Sequence, residues 1–191
     1  MKATETNLKG CFIIEPTIFE DERGYFFESY NHKNFCEAIG REVIFVQDNQ
    51  SFSKKGVLRG LHFQKGEHAQ AKLVSVLQGK IQDVVVDLRK DSPTFGQHLS
   101  IELSEENKKQ VFIPRGFAHG FLTLSESAQV FYKCDNYYNK EAEGGVRYDD
   151  DALGIGWHLN FEDLILLEKD KGLPLLDINN SQRDMHNQQR Q

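Results

Sequence analysis

The sequence predicts a mainly β domain, a sandwich or barrel of short strands with a few short helices. Three observations predict it. The apolar runs are short and rich in Val, Ile and Phe, as buried or half-buried strands are. Gly, Pro and Ser punctuate these runs at close intervals. Helical periodicity shows in only two brief stretches.

In chain order, the first of those helices is expected from Asn31 to Ile39. Asn31 is placed to cap it, Phe35, Cys36 and Ile39 share a face, and Gly40 stops it. Leu73-Val74 and Val76-Leu77 precede a turn at Gln78-Gly79-Lys80, and Ile81 to Leu88 follows, centred on Val84-Val85-Val86. That pair reads as a β-hairpin. His98 to Leu103 alternates, with Leu99, Ile101 and Leu103 on one side. Val111-Phe112-Ile113 ends at Pro114, and the runs Phe121–Leu124 and Ala128–Lys133 flank Ser125-Glu126-Ser127. A fainter helical pattern spans Glu162 to Lys169. Residues 1–178 are expected to form one domain. Residues 179–191, polar and rich in Gln and Asn, are expected to be a flexible tail with almost nothing apolar to bury.

Bulk composition narrows the function. The chain has 191 residues, 39% hydrophobic and 27% charged, which is ordinary for a globular protein with a real core. Its net charge is -6 and its pI about 5.7, so neither a nucleic acid nor a membrane surface is an expected partner. No run approaches the roughly 20 apolar residues of a membrane helix. Met1 to Lys9 is polar and lacks a signal core. Cys11, Cys36 and Cys134 are an odd, scattered set, expected to be reduced thiols of a cytoplasmic protein.

Three stretches carry chemistry-bearing side chains. Gly56-Val57-Leu58-Arg59-Gly60-Leu61-His62-Phe63-Gln64 brackets a guanidinium and an imidazole with glycines. In a regular strand Arg59 and Leu61 face one way and His62 the other, so Arg59 and His62 share a pocket only across a bend or bulge. A surface turn with an incidental histidine fits this stretch equally well. Val111 to Phe121 suggests a strand entering a buried turn that holds His119, which alone fits a structural histidine better than a catalyst. Phe131-Tyr132-Lys133-Cys134-Asp135 continues an apolar strand, and composition alone makes Tyr132 a core tyrosine with a bonded hydroxyl. No metal site is expected: Gln64 stands where a second histidine would follow His62, and His68 falls in a polar loop. No phosphate-cradling glycine loop and no Gly-x-Ser-x-Gly elbow is present.

A more specific pattern emerges when the blocks are taken in order. They are Asp21 to Tyr30, Phe45 to Asn49, Gly56 to Gln64, Ser92 to Gln97, Ile113 to Phe121 and Tyr132-Lys133. From the N-terminus to about Lys171 the chain resembles the dTDP-4-dehydrorhamnose 3,5-epimerase family. The resemblance implies a cupin-like double-stranded β-helix, a jelly-roll barrel, usually a homodimer, with no metal or organic cofactor. It implies inversion of carbons 3 and 5 of dTDP-4-keto-6-deoxy-D-glucose, giving dTDP-4-keto-L-rhamnose.

The resemblance also assigns roles. A hydrogen beside a ketone is weakly acidic, so its removal needs a positioned base and a group that holds the developing enolate. By resemblance His62 is the base, Asp170 its carboxylate partner, Lys72 the enolate-stabilising cation and Tyr132 the acid on the opposite face. Arg23, Arg59 and Lys169 are implied for the diphosphate, and Gln47 and Asn49 for thymine or sugar edges. Glu28 and Glu143 are implied for base or hydroxyl donors, and His119 for the substrate. Phe19, Phe26 and Tyr138 are implied for stacking on the base. The chain departs from the family pattern at Leu167, where a serine is usual, at Gly156, where an aspartate is common, and at Tyr138, where some relatives carry tryptophan. Competing readings are an epimerase acting at carbon 3 alone, a keto-isomerase on the same barrel, and a non-catalytic sugar-nucleotide-binding cupin. Pure binding does not call for an acid and a base together.

Overall fold

The protein is described from a computed structural model over residues 1–177, so the expected 179–191 tail lies outside the described residues. Its strands are β1 (Lys2–Glu5), β2 (Phe12–Glu15), β3 (Ile18–Asp21), β4 (Gly24–Phe27), β5 (Gln47–Lys54), β6 (Leu58–Gln64) and β7 (Lys72–Gln78). They continue with β8 (Lys80–Asp87), β9 (His98–Ser104), β10 (Gln110–Ile113), β11 (Phe117–Thr123), β12 (Ser127–Cys134) and β13 (Glu143–Gly145). The α-helices are α1 (His32–Ile39) and α2 (Glu168–Lys171). One sheet runs β1-β2-β10-β7-β12-β5, the facing sheet β13-β6-β11-β8-β9, and β3-β4 form a separate hairpin.

The order of the strands follows from how the chain crosses between layers. From β5 to β13 every connection except β8 to β9 passes from one sheet to the other. The expected hairpin over residues 73–88 is therefore corrected. Its two strands are β7 and β8, but β7 pairs with β10 and β12, while β8 pairs with β9 and β11. Gly79 turns the corner at φ +79, and a Cβ there would stand 2.1 Å from the Ser127 carbonyl oxygen, so only glycine permits the close approach. Periodicity revealed both strands, but it carries no information on which neighbours they pair with.

The space between the sheets is filled by Val74, Val76, Val111, Ile113 and Val130 from one side and Ile81, Val85, Leu103, Phe117 and Phe121 from the other. The outer face of the six-stranded sheet is covered by α1, whose Phe35 and Ile39 pack on Ile14, Leu73 and Phe112. The outer face of the five-stranded sheet, with Leu61, Val84, Val86 and Ala118, lies under Val146 and Leu153. Covering on both sides explains why Val84-Val85-Val86 is apolar without alternation. The α1 expectation holds in detail: the Asn31 side chain accepts from the Asn34 N–H, and Gly40 takes the left-handed conformation at φ 71. The helical pattern over 162–169 does not form one helix. Residues 161–163 make a single 3-10 turn, Ile165 bridges to Val57, and α2 starts only at Glu168.

The Ser92–Gln97 block serves the fold. Ser92 and Thr94 donate hydroxyl hydrogen bonds to buried Asp87, at 2.5 and 2.7 Å, beside a two-nitrogen clamp from Arg89. Burial alone would raise the Asp87 pKa, but these donors outweigh it and hold the carboxyl at about 2.

Candidate active site

A cavity of about 440 Å³ opens between the sheets, where the apolar filling gives way to polar side chains. The expected bulge is what brings two of them together. On β6, Arg59 pairs with Phe121 and His62 with His119, so two β6 residues lie opposite the single Gly120. The extra residue reverses the alternation, and Arg59 and His62 both line the cavity. Gly60 makes this possible: its φ is +125, and a Cβ would lie 2.6 Å from the Gly120 Cα. His119 is not in a turn, as its sequence context suggested, but in the middle of β11. Strand pairing with β8 on one side and β6 on the other accounts for its burial.

His62 and Asp170 meet across 108 residues of chain. A strap after the 3-10 turn is clipped to the barrel by two backbone bonds, Leu58 N–H to Ile165 O and Ile165 N–H to Gly56 O. The clip sets α2 over the cavity, and buried Asp170 places Oδ1 2.7 Å from His62 Nε2. Leu167, where a serine was expected, does not disturb this placement; its backbone carbonyl accepts from the Asp170 N–H. With Nε2 engaged by Asp170, Nδ1 is the ring nitrogen left open to a further hydrogen bond. Burial lowers the His62 pKa below the usual imidazole value, the Asp170 hydrogen bond and charge pull it up in part, and Lys169 and Lys72 push it down. The ring is therefore neutral, and a base, at neutral pH.

Tyr132 and Lys72 come from the opposite sheet. Tyr132 lies on β12 and Lys72 on β7, with Lys72 Nζ 5.8 Å from the Tyr132 ring centroid. The core-tyrosine alternative required a bonded hydroxyl, yet Tyr132 makes no hydroxyl hydrogen bond among the described residues and borders the cavity. Burial raises its pKa above the ordinary phenol value, so it keeps its proton. Burial lowers the Lys72 pKa, and Cys134, Asp83 and Glu143 oppose that shift.

The remaining expected site residues divide into three groups. Arg59, His119 and Lys169 line the cavity with the four residues above. Arg59 is braced by Ser53 Oγ and the Phe52 carbonyl, at 3.0 and 3.1 Å. Gln47, Asn49, Tyr138 and Glu143 form linked contacts nearby: Gln47 donates to Asn49, accepts from the Tyr138 N–H, and Glu143 accepts from both Tyr138 Oη and Lys169 Nζ. The Lys169 hydrogen bond holds the Glu143 pKa down. Phe19, Arg23, Phe26 and Glu28 are not brought to this cavity. The first three sit on the β3–β4 hairpin, with Phe19 62% and Phe26 70% exposed, and Arg23 pairs with Asp21. Glu28 accepts from the Asn31 and Asn34 side chains at the start of α1.

Asp83 was missed. It is fully buried on β8 and places Oδ2 2.7 Å from His119 Nε2, a second histidine–aspartate pair beside the first. The signal was present: a carboxylate directly before Val84-Val85-Val86 is hard to bury without a partner. Among the described residues no three His, Cys, Asp or Glu side chains converge as a metal-ligand set.

A family model described as dTDP-4-dehydrorhamnose 3,5-epimerase matches residues 5–177. The chain belongs to the dTDP-4-dehydrorhamnose 3,5-epimerase family. The enzyme of that name from Salmonella typhimurium is 56% identical over 178 residues, 93% of this chain and 96% of its own. The crystal structure of the dTDP-4-dehydrorhamnose 3,5-epimerase from Elizabethkingia anophelis NUHP1 superposes with a TM-score of 0.90 at 59% identity, covering 94% of this chain and 98% of that one. A Legionella pneumophila dTDP-6-deoxy-D-glucose-3,5-epimerase, solved in complex with dTDP-4-keto-L-rhamnose, gives 0.89 at 48% identity, covering 95% of each chain. This epimerase is accordingly an isomerase built on a cupin-like jelly roll.

Proposed function

We propose that the protein inverts carbons 3 and 5 of dTDP-4-keto-6-deoxy-D-glucose, giving dTDP-4-keto-L-rhamnose. One observation supports the chemistry: His62, on the five-stranded sheet, and Tyr132, on the six-stranded sheet, stand on opposite walls of one cavity, as a base and an acid that invert a carbon must. Inversion requires a proton to leave one face of a carbon and another to arrive on the opposite face. His62 Nδ1 takes the hydrogen beside the ketone, and the C–H electron pair moves into an enolate whose oxygen is held by the Lys72 ammonium. Tyr132 then gives its hydroxyl proton to the carbon from the far side. The imidazolium and the tyrosinate return to their starting states by proton exchange with water at the cavity mouth. Asp170 orients His62 and supports its positive charge once the proton arrives.

Arg59 and Lys169 bind the diphosphate, His119 the substrate, and Gln47, Asn49, Glu143 and Tyr138 the nucleotide end. The reaction needs no metal or organic cofactor. Incubation with the keto sugar nucleotide in deuterium oxide, followed by NMR, tests this reading. Deuterium enters at carbons 3 and 5. Deuterium at carbon 3 alone would establish a single epimerase, and none at either carbon would leave a binding protein.

The working form proposed is a homodimer in the cytoplasm. The exposed β3–β4 hairpin supports the dimer, because Phe19, Arg23 and Phe26 match substrate-binding positions yet lie away from the cavity of their own chain. A second copy that buries this hairpin would also bring those side chains toward a cavity. Three thiols without disulfides are consistent with the cytoplasm, and no helix among the described residues is long and apolar enough to cross a membrane.

A further inference from the structure

Three buried polar side-chain atoms have no hydrogen-bond partner among the described residues: Ser51 Oγ, Asp83 Oδ1 and Thr123 Oγ1. Of their residues, only Ser51 forms part of the cavity wall. A buried, unpaired hydroxyl costs stability, and alanine would fill the same place without that cost. A serine kept there is therefore explained by something that arrives later.

Its position says what arrives. On β5, Gln47, Asn49, Ser51 and Ser53 alternate onto one face. Gln47 and Asn49 bond each other, Asn49 also donates to Cys134 Sγ, and Ser53 Oγ accepts from Arg59 Nε. Ser51 alone in this row is unpartnered. Strand register pairs Asn49 with Tyr132, and Ser51 with Val130, two residues from Tyr132. Ser51 thus lies one alternation step from the serine that braces Arg59 and one step from the partner of Tyr132. That is the stretch between the cation assigned to the diphosphate and the acid assigned to the sugar. Rotation about a single bond carries a serine hydroxyl among three staggered positions, so Oγ can turn from the wall into the cavity without backbone movement.

We infer that Ser51 is a further substrate-binding residue, donating its hydroxyl hydrogen bond to the diphosphate oxygens nearest the sugar. This rests on the proposed sugar-nucleotide reading of the cavity. Arg59 supplies the charge at that end and Ser51 a neutral donor, and together they fix how far the sugar reaches toward His62 and Tyr132. A hydroxyl donating to an anionic oxygen is a strong, short bond, and it forms only when ligand is present.

The test is Ser51→Ala in the full chain, with calorimetric titration of dTDP and a melting curve of the ligand-free protein. The expected result is dTDP binding weaker by about ten- to hundredfold, from the loss of one hydrogen bond to a charged group. The melting temperature is unchanged or higher, because an unpaired polar group has been removed. KM for the sugar nucleotide rises by a similar factor while kcat changes little. A purely structural serine would leave dTDP affinity unchanged, and that result overturns the inference, including when KM for the whole sugar nucleotide rises. Wild-type protein that fails to bind dTDP would overturn the sugar-nucleotide reading and this inference with it.

Discussion

His62 shows how burial and a carboxylate partner tune a side chain beyond what its residue type specifies. Burial favours the neutral ring, while Asp170 returns part of the basicity that burial removes. In the proposed mechanism His62→Ala loses deuterium incorporation at both carbons, with a fall of at least about a hundredfold in rate. Tyr132→Phe keeps proton removal and loses inversion, so deuterium enters without net epimerisation. Normal turnover by His62→Ala would sink the assignment of the base. The pH profile follows from the two shifts. Because the His62 pKa is lowered, the base form survives below the ordinary imidazole range, and kcat/KM falls only at more acid pH. Because the Tyr132 pKa is raised, the alkaline limb lies above the ordinary phenol value. Asp170→Asn removes an influence that raises the His62 pKa, so its acid limb moves lower still while the plateau drops. An unchanged limb would mean that Asp170 serves only the fold.

At the scale of elements, β6 matters most, because its bulge at Gly60 decides which way His62 points. Gly60→Ala puts a methyl group against the Gly120 backbone and a side chain at φ +125. The expected outcome is a protein destabilised by about 1–3 kcal/mol, with activity lost beyond what that destabilisation explains. Melting and turnover of the same preparation check it; wild-type turnover would show that the bulge does not set the site. The bulge was legible in part. Arg59 and His62 stand three apart and face one cavity, and period 2 forbids that without an extra residue. The 3-10 turn, bridge and short helix of residues 161–171 were not legible, because their form depends on docking to Gly56 and Leu58 rather than on local periodicity.

At the scale of the whole molecule, the jelly roll places His62 and Tyr132, the proposed base and acid, on facing layers, and the proposed dimer accounts for the hairpin that its own chain leaves exposed. Light scattering is expected to give twice the 22.0 kDa chain mass. Phe26→Asp, on an exposed surface, is expected to shift the mass toward the monomer; a monomeric wild type would refute the dimer. The sequence by itself determined the short strands, the capped helix α1 and, through an ordered set of motifs, the family. These are local matters of alternation, capping and residue type. Only the tertiary structure decided that β7 and β8 part into different sheets, that Asp170 crosses 108 residues to His62, and that Asp83 pairs with His119. Those depend on which strands hydrogen-bond to which and on which charges share a buried space, and neither pairing nor burial is written in the spacing of residues along one strand.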